Sequence, residues 1–305
     1  MKRLLVPIFI WAIVLTGCGD EMYNDALTTS KDNSENRTTT YPLVFLHGFM
    51  GADKILGFDY FYKVKNTLIN QGFEVYTPKV VALNSVVERG HDLALKIDAI
   101  LEESGADKVN IIAHSMGGLD ARYLISSLDF GDKIASLTTI GTPHKGTPLS
   151  TAILNGLGEG DNILYKAFEK LTAVITDTDP NKLDIVENLK VFEPKYMATV
   201  FNKENSNDND VLYQSYGGIT GIVGIRHKDV MSPLFLPFYP ILANHGIQKH
   251  DGLVPLESSK WGIFRGVINA DHLDQIGHFF GTSSPFFRYL KFYKNLAREL
   301  SEEGL

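Results

Sequence analysis

Beyond residue 41 the chain alternates short, largely apolar runs with longer segments of helical period. Residues 43–46 are such a run, ending at His47-Gly48, and residues 73–76 are another, so each predicts a short buried strand. Between residues 91 and 101 the apolar positions Leu93, Leu95, Ile97, Ile100 and Leu101 recur near helical spacing, with Gly105 placed to end the helix. Residues 109–112 then predict a strand, 113–117 a tight turn, and 119–128 a helix with Leu119, Tyr123 and Leu124 on one side. Further strands are predicted at 136–140 and 218–224, and a closing amphipathic helix at 286–300, with apolar residues at 286, 290, 293, 296 and 300. Strands and helices in alternation predict an α/β fold, a mainly parallel sheet flanked by helices, in one domain over residues 41–305 without internal repeats.

Residues 20–40 break the pattern. They are rich in Asp, Asn, Ser, Thr and Glu, and predict, with position 18 onward, a flexible tether ahead of the domain. Upstream, Lys2 and Arg3 precede an apolar run of 12 residues, Leu4 to Leu15. Spanning a bilayer takes about 20, so residues 1–17 read as an export signal. The run closes on Leu15-Thr16-Gly17-Cys18, which resembles the bacterial lipobox. That resemblance implies a lipidated Cys18 and an exported lipoprotein anchored to a membrane, periplasmic or at the cell surface, with the outer membrane favoured. An ordinary secretory signal and a secreted protein are the alternative.

Composition narrows the chemistry. With 305 residues, 44% of them hydrophobic, the chain can bury one large core. It carries 29 basic and 36 acidic residues, a net charge of −7, and loses two more positive charges if residues 1–17 are removed. Such a balance offers no basic face to a phosphate backbone and argues against nucleic-acid partners. Cys18 is the only cysteine, so a disulfide, a thiolate metal site and a cysteine nucleophile are all excluded from the domain. Catalysis, if present, must use oxygen or imidazole.

Ala113-His114-Ser115-Met116-Gly117 matches the nucleophile elbow Gly-x-Ser-x-Gly with alanine in place of the first glycine, and it lies between a predicted strand and a predicted helix. Such a turn is too sharp for large side chains two residues either side of the serine, and alanine is the smallest substitute for glycine. An acyl-transfer serine also needs backbone N–H groups aimed at the developing oxyanion. Met116 follows the serine directly, and the loop His47-Gly48-Phe49-Met50-Gly51 offers Phe49 as the second donor. In this fold type the acid and then the histidine follow the serine, which leaves His144, His227, His245, His250, His272 and His278 as bases. Asp251, in a turn before an apolar stretch, suits the acid, with His272 following by 21 residues. Spacing alone suits His278 almost equally, and leaves Asp271 and Asp274 as loop charges.

From residue 41 to 281 the chain resembles the bacterial triacylglycerol lipases of the Pseudomonas and Burkholderia type. The likeness rests on residues 41–48, 58–62, 108–123, 138–146, 251–254 and 272–274, in that order. It implies an α/β-hydrolase fold and a carboxylic ester hydrolase of the triacylglycerol lipase kind. Ser115, Asp251 and His272 then form the triad, and Phe49 and Met116 the oxyanion hole, with no organic cofactor. It further implies a structural Ca²⁺ held by Asp229 and Asp274, a mobile helical lid over residues 149–175, lipid or acyl-ester substrates, and a dedicated folding chaperone of the kind some relatives use. Three departures stand out: alanine opens the elbow, the disulfide of many relatives cannot form, and the N-terminus carries a lipidation motif. An esterase or phospholipase with the same triad, and a catalytically silent lipid-binding lipoprotein, are the competing readings.

Overall fold

Strand β1 (Leu43–Leu46) alternates its side chains between two cores: Leu43 and Phe45 face one, Val44 and Leu46 the other. A strand buried on both faces belongs in the interior of a parallel sheet covered on both sides by helices. The computed structural model describes residues 38–49, 54–55, 58–81, 84–156, 166–168, 189–208, 210–221, 231–278, 284 and 287–305. Within them β1 is followed by a two-stranded antiparallel hairpin, β2 (Lys54–Ile55) and β3 (Phe58–Asp59), and by helix α1 (Val64–Ile69). The main sheet then gains β4 (Val75–Tyr76), β5 (Val109–His114), β6 (Ile134–Ile140), β7 (Leu212–Gly218) and β8 (Ile263–Ile268). All its pairings are parallel, in the order β4-β1-β5-β6-β7-β8. The chain leaves β1 toward one edge, to β4, and returns on the other side, to β5. The loops after β1 and β5 therefore diverge, and the crevice between them is where open α/β sheets bind ligands.

Helix α2 (Val86–Ser104) is longer than the periodicity predicts, because Ser85 and Glu88 form a capping box at its start and Gly105 ends it at φ 69. Leu95, expected on the buried side, is 70% exposed, and the buried face is Val86, Arg89, Gly90, Leu93, Ile97 and Ile100. Helix α3 (Gly117–Ser127) begins two residues before the predicted start. The strand predicted at 218–224 is a correction: β7 occupies 212–218 and ends where that prediction began, and residues 222–230 lie outside the described residues. Polar side chains hid it. Gln214 is buried and donates to the hydroxyl of Thr138 on the neighbouring strand at 2.7 Å. Strand β8, half-buried at the sheet edge, carries no clean two-residue period and was not predicted. Helices α4 (Pro148–Asn155) and α5 (Tyr239–Asn244) pack together, and α6 (Tyr289–Glu302) closes the domain on Tyr289, Phe292, Tyr293, Leu296, Ala297 and Leu300. Of the predicted seam, 293, 296 and 300 lie on that face, 290 packs at its margin, and 286 lies outside the described residues.

Candidate active site

The turn after β5 places Ser115 at φ 56, the left-handed region that L residues other than Gly, Asn and Asp rarely enter. The strain is held by bonds on both sides of the residue. Its N–H donates to the Ile140 carbonyl at 3.0 Å, and its own carbonyl accepts from the Thr142 hydroxyl at 2.7 Å. Two residues on, a Cβ at Gly117 would stand 2.7 Å from the His47 carbonyl oxygen, so the helix start needs glycine to abut the end of β1. Two residues back, Ala113 points its methyl into the opposite core with Ile111 and Leu46, which is why this position tolerates more than a hydrogen.

His47-Gly48-Phe49 lies against this turn. His47 is neutral with a fixed tautomer: Nδ1 is 3.1 Å from the Gly48 carbonyl oxygen, and Nε2 accepts from the Val80 N–H at 3.1 Å. Beneath it, Arg89 donates to the carbonyls of His47 (3.3 Å) and Gly48 (3.1 Å) and pairs with Asp120 at 2.7 Å. Both charged side chains are fully buried, so removing either partner strands the other charge. No backbone or side-chain acceptor among the described residues takes the N–H of Phe49 or Met116. Sequence reasoning missed Arg89, whose only signal is a charge on the apolar face of α2.

The loop after β8 brings His272 to Asp251. The His272 ring Nδ1 is 2.7 Å from Asp251 Oδ2, and the His272 N–H donates to the Asp251 carbonyl at 2.8 Å. Asp251 Oδ1 accepts from the amides of Leu253 (3.0 Å) and Val254 (2.7 Å), and Oδ2 accepts also from Gln275 Nε2 at 2.9 Å. Burial pushes the carboxyl up, but the His272 charge and these hydrogen bonds outweigh it and hold Asp251 below the ordinary carboxylate value. Of the two histidines left open by spacing, His278 sits elsewhere, its Nε2 3.0 Å from the Asp59 carbonyl oxygen.

The remaining histidines are also placed by the fold. His144 is buried after β6, its Nε2 3.0 Å from the Thr139 hydroxyl and its ring stacked on Trp261. His245 bonds back to the Ile241 carbonyl, and His250 Nδ1 accepts from the Gly252 N–H. His227, Asp229 and Cys18 lie outside the described residues. Asp271 organises the loop that carries His272, accepting from the amides of Leu273, Asp274 and Ser232. Asp274 is buried beside it, and among the described residues no three acids, histidines or cysteines converge as metal ligands.

One cavity joins these parts. Ser115, His272, Phe49, Tyr60 and His114 line it together with apolar side chains from three regions, including Leu149, Ile153, Phe168, Leu189 and Phe192. Leu149, Ile153 and Phe168 come from the predicted lid, of which 157–165 and 169–175 lie outside the described residues. The wall is almost wholly apolar, and Ser115, His272, His114, Tyr60, Thr147 and Ser150 are its polar residues.

Residues 41–207 match the family described as alpha/beta hydrolase fold. A triacylglycerol lipase of Vibrio cholerae is 29% identical over 88% of this chain and 89% of its own length. One of Pseudomonas fragi is 28% identical over 90% of this chain and its full length. Among solved structures, a Bacillus licheniformis lipase in its mature form covers 84% of this chain and 91% of its own, with a TM-score of 0.63 at 17% identity.

Proposed function

Since the chain belongs to the alpha/beta hydrolase family, we propose that it is a serine carboxylic ester hydrolase, acting on triacylglycerols or closely similar long-chain esters through Ser115, His272 and Asp251. One observation carries this reading: the hydrogen-bonded Asp251–His272 pair and the strained Ser115 open onto one apolar cavity. Fold membership alone selects no reaction. The names of its relatives agree with ester hydrolysis.

In the mechanism, Nε2 of His272 takes the proton of the Ser115 hydroxyl as Oγ attacks the ester carbonyl. The oxyanion of the tetrahedral intermediate faces the N–H groups of Phe49 and Met116, at the end of β1 and the start of α3. His272 then returns the proton to the departing alcohol, leaving Ser115 acylated. Water, deprotonated by His272, attacks the acyl-enzyme, and the carboxylic acid leaves as Ser115 regains its proton. Asp251 fixes the tautomer and stabilises the imidazolium in both halves. The apolar wall holds the acyl chain away from water.

Ser115→Ala tests this directly: a fluorophosphonate probe must label the wild type at Ser115 and not the variant, and hydrolysis of emulsified triacylglycerol must vanish while the fold survives. Ester hydrolysis at wild-type rate in Ser115→Ala sinks the assignment. A chain-length series then separates long-chain triacylglycerols from short soluble esters and phospholipids. A lid over 149–175 is supported by the apolar side chains that α4 and Phe168 turn toward the cavity. It requires activity to rise when substrate aggregates.

Export and anchoring at Cys18 rest on the motif at residues 15–18, and among the described residues no helix is long and apolar enough to cross a membrane. Cys18→Ser must move the protein from the membrane fraction to the soluble one. For calcium, Asp274 is a buried carboxylate two residues after the base, the donor type such an ion prefers, and Asp229 is the proposed second ligand. A bound Ca²⁺ supplies rigidity to the loop bearing His272. Refolding of the isolated chain to full activity decides against a dedicated chaperone.

A further inference from the structure

Gln275 is fully buried and is held more firmly than a loop glutamine requires. Its N–H donates to the Asp271 carbonyl at 3.1 Å, and its carbonyl accepts from the Tyr293 hydroxyl of α6 at 3.0 Å. The side-chain amide occupies a slot between the ends of β6 and β7 that two glycines keep open. A Cβ on Gly141 would strike Gln275 Oε1, and one on Gly218 would strike Nε2. At the far end of the slot Nε2 donates at 2.9 Å to Asp251 Oδ2, the same oxygen that His272 Nδ1 meets at 2.7 Å.

The direction of this amide follows from chemistry. Asp251 is a carboxylate and only accepts, so the NH₂ end of Gln275 must face it and Oε1 must face away. Oε1 is buried without a hydrogen-bond partner, and so is Nε2 of His114. His114 Nδ1 lies 2.7 Å from the Tyr60 hydroxyl, which sets the ring proton on Nε2 when the phenol donates. Burial keeps that imidazole neutral, and the Gln275 side chain and the His272 carbonyl are the neighbours that favour a proton on it. The His114 ring is itself only 4.4 Å from that of His272.

We infer that Gln275 is a positioning residue for the Asp251–His272 pair, its amide held toward the carboxylate by the slot between Gly141 and Gly218. Its bond to Oδ2 adds a side-chain donor to the amides of Leu253 and Val254 that hold Oδ1. It fixes the carboxylate rotamer and spreads its charge over a second donor. The groups facing it are Tyr60, His114, Asp251, His272, Tyr293 and, more distantly, His278. This inference rests on the triad proposed above.

The test uses the full-length chain and a soluble nitrophenyl ester. Gln275→Met fills the slot but donates nothing. We expect kcat to fall about tenfold, as losing one hydrogen bond to a charged group implies, with KM within about twofold. A kcat within about twofold of wild type, or a rise in KM alone, overturns the inference. Should Gln275→Met not fold, Gln275→Glu keeps the shape and sets a second carboxyl against Asp251. Its kcat must then fall by a similar factor with KM within about twofold, and a wild-type kcat is the overturning result. Asp251→Asn and Ser115→Ala run in parallel: if they too retain full activity, the triad reading has failed rather than the role of Gln275.

Discussion

A Cβ built on Gly48 would stand 2.7 Å from the Cβ of Ser115 and 2.7 Å from the Tyr60 hydroxyl. No side chain fits between the loop after β1 and the proposed nucleophile, so the loop backbone lies directly against the Ser115 side chain. Gly48→Ala therefore has to push the loop outward and draw the Phe49 amide out of reach. We expect kcat for a soluble ester to drop about 100-fold or more, as for loss of one oxyanion donor. The stability cost should be about 1–3 kcal/mol by overpacking. Stopped assays alongside chemical denaturation separate the effects, and unchanged kcat removes Phe49 from the mechanism.

Ser115 holds φ at 56, which costs about 1–2 kcal/mol for an L residue and nothing for glycine. Ser115→Gly is expected to abolish hydrolysis and to raise the thermal midpoint by about 2–4 °C. A fall in the midpoint means that the serine side chain, not the backbone angle, governs this turn.

His114 and His144 are buried and held neutral, each well below the ordinary imidazole value, mainly by burial. Both therefore bind fewer protons folded than unfolded. Stability from this source is complete above about pH 6.5 and is lost as the pH falls below it, by about 1.4 kcal/mol per pH unit for each histidine. Asp251, whose value is depressed, acts in a lower window: its contribution is present above about pH 4 and disappears as the pH falls through the folded value. His144→Gln lies away from the cavity and should flatten the slope between pH 6.5 and 5 by about one such unit. Denaturant unfolding at several pH values measures it, and an unchanged slope would falsify the assignment of His144 as a buried neutral group.

Asp274 follows the proposed base by two residues and is buried. If Ca²⁺ stiffens that loop, a chelator lowers the thermal midpoint, added Ca²⁺ restores it, and Asp274→Asn is insensitive to both. Equal midpoints with and without chelator in the wild type remove the ion from this protein.

Much of the architecture was legible because it is written in short-range pattern. The apolar run at 43–46, the strand-turn-helix around Ser115 and the glycine at 105 each report a local backbone preference that packing then reinforces. Legibility failed where burial is partial or polar. β8 lies half-exposed at the edge, β7 buries Gln214 and Ser215 instead of an apolar alternation, and Leu95 falls outside the buried stripe of α2 despite its spacing.

The sequence by itself determined the strand-helix alternation, the sharp bend at Ser115 and the loop at His47-Gly48, since each depends on neighbours within a few residues. Residue spacing left His272 and His278 open and the family resemblance chose His272; only the tertiary structure shows it bonded to Asp251, sets Arg89 under the oxyanion loop and turns Gln275 to the carboxylate. Those contacts join residues 21 to 42 positions apart, and each involves a loop beyond a strand or helix. Hydrogen bonds of that kind are decided by which loops the parallel sheet brings to one end, and chain spacing carries no record of it.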